Sequence, residues 1–357
     1  MSAVEEPTGK RLAVVLFNLG GPDGPDAVQP FLFNLFNDPA IIGVPGPLRW
    51  LLAKWISARR APVAKSIYEE IGGASPIVPL TQQQAVALEK ELASDSGWEE
   101  VKSFVVMRYW HPRAADVARK VADFDPSQVV LLPLYPQFST TTSGSSLKEW
   151  EGAAKAAGLT AQTAAVCCHP LAGEFIRAHG DLIQAAIEKA GGPENVRVLF
   201  SAHGLPTKVI AGGDPYQWQV EQTTAAVVRA LGIPGLDWVN CYQSRVGPLE
   251  WIGPATDEEI GRAAEDGKKI VLVPIAFVSE HSETLVELDI EYRKLAEQSG
   301  VATYIRVPAL GSAAGYIKAL AEVATAAATR GQGTCPGGAE GRICPSEFGR
   351  CPLTAKG

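Results

Sequence analysis

Short runs of Val, Ile and Leu alternate with longer stretches of helical periodicity along almost the whole chain. The runs fall at residues 12–17, 104–107, 129–134, 196–200, 270–277 and 303–307. The intervening stretches, such as residues 82–92 and 221–231, place apolar side chains at helical spacing. Apolar strands that alternate with helices predict βαβ units, in which a parallel sheet is covered by helices on both faces.

The length of the chain predicts two domains, because 357 residues exceed what one ordinary core holds. A break near residues 165–171 separates two series of βα units, so we predict two similar doubly wound α/β domains with a cleft between them. The predicted parts are an N-terminal α/β domain (1–168), a C-terminal α/β domain (169–308), a helix that packs back on them (309–330) and a cysteine-containing tail (331–357).

Composition excludes several classes of protein. The net charge of −7 argues against a nucleic-acid partner, because nucleic-acid binders need a basic face. The sequence contains no run of about 20 apolar residues, which a membrane-spanning helix would need. The N-terminal sequence MSAVEEPTGKR resembles neither a secretory signal nor a transit peptide, and the six cysteines do not form a secreted disulfide pattern, so we expect a cytoplasmic protein.

Two loop regions point to a ligand site. The turn NLGGPDG after the first predicted strand is rich in glycine, but it lacks the G-x-G-x-x-G spacing of a nucleotide fold, so a tight turn is the favoured interpretation. Residues 41–62 carry apolar surface from Trp50 and Trp55. Their cations are Arg49, Lys54, Arg59 and Arg60. This segment is either a core-packing helix with solvated cations or an apolar, cation-edged lip for an amphipathic ligand or a bilayer surface.

His203 and Glu283 follow two different predicted strands and are the candidate reactive residues. His203 lies in FSAHGLP, just after the strand at 196–200, and Glu283 lies in SEHSETLVELDIEY, after the strand at 270–277. Open parallel sheets bind ligands at the carboxyl ends of their strands. We therefore expect both side chains at one cleft.

An acidic column begins at Glu283. Glu283, Glu287 and Glu291 recur every four residues, so they share one helical face, and His281 lies at its head. Such a stripe is often only the solvated side of a surface helix. Here no Lys or Arg relieves the three charges within the run, which favours a column along which a cation travels. Trp251, between two Gly-Pro pairs, is either a flat wall for an aromatic ligand or a buried structural residue.

Eight ordered segments resemble those of ferrochelatases across nearly the whole chain. They are NLGGP, ARRAPVAKSIYEEIGGASPI, MRYWHP, LYPQFSTTTSGSS, FSAHGLP, GDPYQWQVEQT, YQSRVGPLEWIGP and VPIAFVSEHSETLVELDIEY. The resemblance implies a chelatase-like fold around a porphyrin cleft. It also implies the insertion of Fe²⁺, as a substrate, into protoporphyrin IX to form protohaem, the last step of haem synthesis, without a nucleotide.

The resemblance also implies roles for individual residues. His203 and Glu283 match paired metal-site residues that face each other across the macrocycle, and His281, Glu287 and Glu291 match a path for metal or protons. The porphyrin-binding positions are matched by Arg59, Tyr68, Arg108, Tyr135, Ser139 and Trp251. The lip at 41–62 matches the mouth of the pocket, which in membrane-associated members faces the bilayer, so peripheral contact with the inner membrane is a further expectation.

The residue types fit metal insertion. A free porphyrin holds two N–H protons that leave as Fe²⁺ enters, and a neutral imidazole accepts protons near neutral pH. A carboxylate supplies a hard oxygen ligand. We hypothesise that His203 takes the pyrrole protons while Glu283 hands over or coordinates the iron; the order of these steps stays open.

Other functions compete with this interpretation. Within the class, the alternatives are a coproporphyrin III ferrochelatase or a cobalt chelatase for a precorrin, whose more carboxylated substrates would require a more cationic mouth. A porphyrin or haem carrier without turnover has no need for an acidic metal path, and a nucleotide-dependent α/β enzyme is disfavoured by the broken glycine motif. The oligomeric state stays open between monomer and homodimer.

Three cysteines, Cys335, Cys344 and Cys351, lie close together in the tail. Their spacings of nine and seven residues do not match a zinc knuckle. The family resemblance implies a possible [2Fe–2S] cluster, which some members bind through three C-terminal cysteines and one internal cysteine. The internal position matches Thr140 here. A fourth ligand would therefore come from Cys167, Cys168 or Cys241; otherwise the tail holds free thiols and no cluster.

Overall fold

The computed structural model describes residues 10–94, 97–245 and 247–353. Residues 1–9, on which the expectation about targeting sequences depends, lie outside the described residues. So do the last four residues of the predicted tail, 354–357.

Strands and helices alternate along the described chain. The elements before residue 170 are β1 (Arg11–Asn18), α1 (Val28–Phe36), α2 (Gly46–Glu69), α3 (Ile77–Ser94), β2 (Glu100–Met107), α4 (Ala114–Phe124), β3 (Gln128–Pro133), α5 (Ser143–Ala156) and β4 (Gln162–Val166). Those after it are α6 (Gly173–Lys189), β5 (Val196–His203), α7 (Thr207–Ala211), α8 (Tyr216–Leu231), β6 (Asp237–Gln243), α9 (Thr256–Glu265), β7 (Lys269–Pro274), a π-helix (Glu283–Glu291), α10 (Tyr292–Gln298), β8 (Tyr304–Arg306), α11 (Ala314–Arg330) and β9 (Gly333–Cys335).

The strands form two parallel sheets. The first has the order β2-β1-β3-β4-β9 and the second the order β6-β5-β7-β8, and every pairing is parallel. The central strands β1, β3 and β7 are almost wholly buried, as uninterrupted apolar runs must be when helices cover both faces. The predicted fold class is confirmed.

Three local features differ from the sequence prediction. The strand predicted at 270–277 ends at Pro274, where the chain turns and the Phe277 N–H donates to the Pro274 carbonyl. Strands β4 and β6 were not predicted, because QTAAV and DWVNCYQ mix polar and small residues with few aliphatic ones. The helix predicted after Ser282 begins as a π-helix and becomes α-helical only at Tyr292.

One hydrophobic cluster runs beneath both sheets, from Leu12 and Val130 to Val198 and Val273. Helix α11 belongs to this cluster and packs against α3, α6, β3 and β4. The boundaries predicted for the two domains stay predictions. Among the described helices, none combines the length and apolar character that crossing a bilayer requires.

The tail folds against the body of the protein, although its sequence shows no strand pattern. Strand β9 pairs with β4, and the Cys167 N–H donates to the Cys335 carbonyl at 2.8 Å. A Cβ at Gly337 would lie 2.7 Å from Val323 Cγ1, so only glycine fits there. The Arg342 guanidinium donates to the carbonyls of Cys344, Pro345, Phe348 and Leu353 and closes the tail on itself.

Candidate active site

A pocket opens at the carboxyl ends of the strands of both sheets. Asn18 at the end of β1 and Tyr135 just after β3 line it from the first half. His203 at the end of β5 lines it from the second half, together with Phe277 and Glu283 from the segment after β7. The sequence prediction that two separate strand ends bring His203 and Glu283 to one cleft agrees with this placement.

Glu283 lies between two histidines. His203 Nε2 is 3.8 Å from Glu283 Oε1, and His281 Nε2 is 3.8 Å from Glu283 Oε2. The His203 and Glu283 side chains are 38% and 25% exposed, so both face the open pocket, whereas His281 is buried. The pair therefore meets at the surface that a ligand would contact.

The arrangement corrects the expectation that His203 and Glu283 face each other across the macrocycle. A flat ring between them would need about 3.5 Å of contact distance on each side, or about 7 Å in all. The two groups are 3.8 Å apart. In this conformation a flat ring could therefore contact both groups only with one and the same face.

Hydrogen bonds fix the tautomers of both imidazoles. His203 Nδ1 is 2.6 Å from the Gly204 carbonyl, and His281 Nδ1 is 3.2 Å from the Ser279 carbonyl. A carbonyl only accepts, so Nδ1 carries the proton in each ring, and Nε2 of the neutral ring holds a lone pair. Each histidine thus presents its proton-accepting nitrogen toward Glu283.

Glu283 is held in its ionised form. Burial alone would raise the pKa of this carboxyl. When the imidazoles of His203 and His281 take up a proton at Nε2, their positive charge beside the carboxylate outweighs burial and lowers its pKa to about 2. The Ser244 hydroxyl adds a weaker donor at 3.4 Å.

The acidic column leads from the pocket to the surface. Glu283 lines the pocket, Glu287 is half-buried behind it, and Glu291 is exposed. Glu287 accepts hydrogen bonds from Gln243 Nε2, from the Ser244 N–H and hydroxyl, and from the Tyr292 hydroxyl. Burial and the charge of Glu283 raise its pKa. Sequence reasoning missed Ser244, whose backbone adopts φ 60°, an uncommon conformation that marks a constrained residue.

The predicted porphyrin-binding residues lie at different depths. Tyr135 and Ser139 line the pocket. Tyr68 lies behind it, with its hydroxyl 3.5 Å from Ser282 Oγ, and burial raises its pKa to about 12. Trp251 lies outside the lining and packs near Gly204, where a Cβ would be 3.4 Å from its ring. Arg59 is exposed on α2.

Arg108 is held in a buried polar cluster beside the pocket. Its Nη2 donates to Asp38 Oδ2 at 2.8 Å, and its Nη1 is 3.3 Å from Glu149 Oε2. Asp38, which is 3% exposed, also accepts from the Tyr109 and Ser145 hydroxyls at 2.7 and 2.6 Å. Sequence reasoning missed Asp38, because its partner lies 70 positions away along the chain.

Helix α2 carries the predicted lip and presents an apolar outer face. Trp50, Leu51 and Trp55 are 46%, 58% and 63% exposed. Lys54 lies over the Trp50 ring at 5.1 Å, which keeps its charge at the same surface.

Two thiols contact Gln219, and each of them has a second thiol as a neighbour. The Sγ atoms of Cys167 and Cys168 are 3.6 Å apart, and Gln219 Nε2 lies 3.5 Å from Cys168 Sγ and 3.1 Å from Cys344 Sγ. A hydrogen bond from Cys344 lowers the pKa of Cys351 to about 6, despite burial.

The two remaining cysteines, Cys335 and Cys241, lie in different places. The Cys335 carbonyl accepts from the Cys167 N–H, whereas Cys241 lies in a separate core cluster of the second half. Among the described residues, no three His, Cys, Asp or Glu side chains converge to hold a single metal ion.

Comparisons with known proteins agree on one family. The sequence model described as Ferrochelatase matches residues 11–328. The ferrochelatase of Caulobacter vibrioides (strain NA1000 / CB15N) is 56% identical over 343 residues, which cover 96% of this chain and 97% of that protein. The ferrochelatase of Phenylobacterium zucineum (strain HLK1) is 55% identical over 341 residues, with coverage of 96% and 97%.

A solved structure shares the fold at low sequence identity. SirB from Bacillus subtilis, solved with Fe³⁺, superposes with a TM-score of 0.54 and 12% identity, covering 90% of this chain and 99% of that one. This likeness concerns the fold alone.

Proposed function

This chain belongs to the ferrochelatase family, and we propose that it inserts ferrous iron into protoporphyrin IX at the pocket that His203 and Glu283 share. It is an enzyme of haem synthesis, a lyase whose substrates are a porphyrin and Fe²⁺. The observation that carries the assignment of the site is the approach of His203 Nε2 to the ionised Glu283 at 3.8 Å, inside an otherwise largely apolar pocket.

The proposed division of labour follows from the two groups' protonation states. His203 Nε2 has a free lone pair in the neutral ring, so it accepts the pyrrole protons. Glu283 stays ionised, so it offers an oxygen ligand to Fe²⁺ at the same face of the ring. Three residues already donate hydrogen bonds to the Glu287 carboxylate, so its oxygens are occupied. We therefore assign the column beyond Glu283 to protons that leave the pocket rather than to the metal.

Substitution of the two residues tests this assignment. His203→Ala and Glu283→Ala should each lower the rate of metal insertion by at least about 100-fold, because each removes a group that touches the reacting atoms. The rate is followed as the loss of protoporphyrin fluorescence with anaerobic Fe²⁺, without nucleotide. His111→Ala, at an exposed histidine outside the pocket, is the matched control. Insertion within tenfold of wild type in either pocket variant would refute the assignment.

The lining of the pocket favours protoporphyrin over more carboxylated macrocycles. None of the described lining side chains is Lys or Arg, and the guanidinium of the nearby Arg108 is already paired with Asp38 and Glu149. Extra carboxylates would therefore enter the pocket without partners. We expect kcat/KM for protoporphyrin IX to exceed that for coproporphyrin III by at least about tenfold; the reverse order would assign the chain to the coproporphyrin reaction.

We propose that the outer face of α2 contacts a membrane surface. Its exposed tryptophans and neighbouring cations fit an interface between acyl chains and anionic headgroups, on the cytoplasmic side of the inner membrane. Trp55→Ser should reduce co-flotation with vesicles of anionic and zwitterionic phospholipid, whereas Val86→Ser, at an exposed apolar residue on α3, should not. Equal flotation of both variants and wild type would exclude this surface.

We propose that the tail thiols bind a [2Fe–2S] cluster. Such a cluster takes four thiolates. Cys344 and Cys351 are neighbours in the tail, and Cys167 and Cys168 adjoin each other close to Cys344. Cys335, beside Cys167, completes the candidate set, and either Cys167 or Cys168 is the internal ligand. When bound, the cluster would supply redox-sensitive cross-linking of the tail. Anaerobically purified wild-type protein should show visible absorption bands, and these bands should be absent from the Cys351→Ser variant. A wild-type spectrum without such bands would exclude the cluster.

A further inference from the structure

Gln219 on α8 connects one tail thiol, Cys344, and one thiol that follows β4, Cys168, to the loop that lines the pocket. Its Nε2 donates toward Cys344 Sγ at 3.1 Å and Cys168 Sγ at 3.5 Å. Its Oε1 accepts the Phe138 N–H at 2.7 Å. Gln219 has no exposed surface. Both ends of one buried amide are therefore engaged, one with sulfur and the other with the backbone of the pocket loop.

A second set of contacts runs beside the first. The Arg350 N–H of the tail donates to the Gly213 carbonyl at 3.0 Å. The next residue, Asp214, accepts from the Ser139 hydroxyl at 3.0 Å and from the Thr140 N–H at 2.7 Å. The start of α8 is thus held between the tail and the pocket loop.

The loop reached by these bonds forms part of the pocket wall. Ser139, Thr141 and Thr142 all line the pocket, and the Phe138 side chain packs with Cys167 and Cys168 in one small core cluster. Close-packed interiors transmit small displacements, because no void absorbs them. A change in what the thiols bind would therefore reach the loop through Gln219.

We propose that Gln219 is a positioning residue through which the chemical state of Cys344 and Cys168 sets the affinity of the pocket for its macrocycle. The proposal rests on the proposed function, because it takes a porphyrin as the ligand. Coupling between two binding sites is reciprocal. A bound porphyrin therefore also changes the reactivity of the two thiols.

A double-mutant cycle on the full-length chain tests the link. The Kd for protoporphyrin IX is measured by fluorescence, without metal, for Gln219→Leu, Cys344→Ala and the double variant. Each single variant should raise Kd about fivefold, a typical coupling between sites, and the double variant should raise it no further. Gln217→Leu, two residues away on α8 with its amide bonded to Glu221, is the matched control and should stay within twofold of wild type. Independent effects that multiply to about 25-fold, or an unchanged Kd in either single variant, would overturn the proposal.

A second pair of variants covers the case in which a substitution prevents folding. Gln219→Glu keeps the acceptor for the Phe138 N–H and removes the donor to sulfur, and Cys344→Ser keeps an acceptor for Nε2. Cys344→Ser alone should therefore leave Kd within twofold of wild type. In the Gln219→Glu protein, Cys344→Ala should also change Kd less than twofold, and a fivefold effect there would show that the amide N–H is not the link.

Thiol chemistry gives a readout that is independent of activity. In protein from which any bound cluster has been removed, saturating protoporphyrin should slow iodoacetamide labelling of Cys344, read by mass spectrometry, about fivefold in wild type and not in Gln219→Leu. Equal rates with and without porphyrin in wild type would overturn the link. A chain that shows this coupling but never inserts metal would refute the proposed activity alone, and a chain that inserts metal without the coupling would refute the link alone.

Discussion

Replacement of Asp38 by alanine should cost more stability than replacement of an exposed carboxylate, because Asp38 neutralises the largely buried guanidinium of Arg108. Asp38 accepts from Arg108, Tyr109 and Ser145 at one carboxylate oxygen and from the Ala40 N–H at the other. Removal of one partner of a buried ion pair costs about 3–5 kcal/mol. Glu149 remains as a second partner of Arg108 at 3.3 Å, which favours the lower end of that range.

The remaining donors add to this cost. The Tyr109 hydroxyl is buried and loses its acceptor, which adds about 1 kcal/mol at the lower end of the range for an unsatisfied group. We therefore expect Asp38→Ala to lower the free energy of unfolding by about 4 kcal/mol. The measurement is urea unfolding followed by tryptophan fluorescence at neutral pH.

The control and the pH dependence make this prediction specific. Asp116→Ala removes a carboxylate that is 51% exposed and paired with Arg119, so it should cost less than about 1 kcal/mol. Burial would raise the pKa of Asp38, but its hydrogen bonds and Arg108 lower it below 3.8. Its contribution is therefore fully present above about pH 4 and is lost as the pH falls through the lower, folded value. A loss below 1 kcal/mol for Asp38→Ala, or a loss equal to that of the control, would refute the reasoning.

Three further outcomes follow from the tail and the pocket. Arg342→Ala removes donors to four carbonyls, so limited proteolysis should cut the tail faster, and an unchanged rate would contradict this. Gly337→Ala places a Cβ 2.7 Å from Val323, so it should destabilise the protein by at least about 1 kcal/mol in urea, whereas Gly341→Ala, with open space around it, should not. Glu283 has a pKa lowered to about 2 from 4.5, so its stabilising charge is present above pH 4.5 and is lost toward pH 2; a protonated carboxyl band at pH 4 in wild-type minus Glu283→Gln infrared spectra would exclude this.

Local sequence patterns predicted what depends on neighbours along the chain. The continuous apolar runs located β1, β3 and β5, and the rule that ligands bind at strand ends located His203 and Glu283 at one pocket. Family membership, predicted from eight ordered segments, is confirmed.

Contacts between distant residues could not be predicted in the same way. The pairing of Arg108 with Asp38 joins segments 70 positions apart, and the bond from Gln219 to Cys344 joins segments 125 positions apart. The distance between His203 and Glu283 also depends on how two loops pack. From the sequence we expected both residues at one cleft but on opposite faces of the ring. Their 3.8 Å separation leaves no room for a ring between them.

The pairing of β9 with β4 bears on the association of one copy of this protein with another. Without β9, the backbone N–H and C=O groups of β4 would form the open border of the first sheet, and such a border recruits strands from other molecules. With β9 paired to β4, the edge of the sheet is β9 itself, which is only three residues long and begins at a glycine. Deletion of residues 331–357 should therefore produce concentration-dependent aggregation even where the pocket still folds.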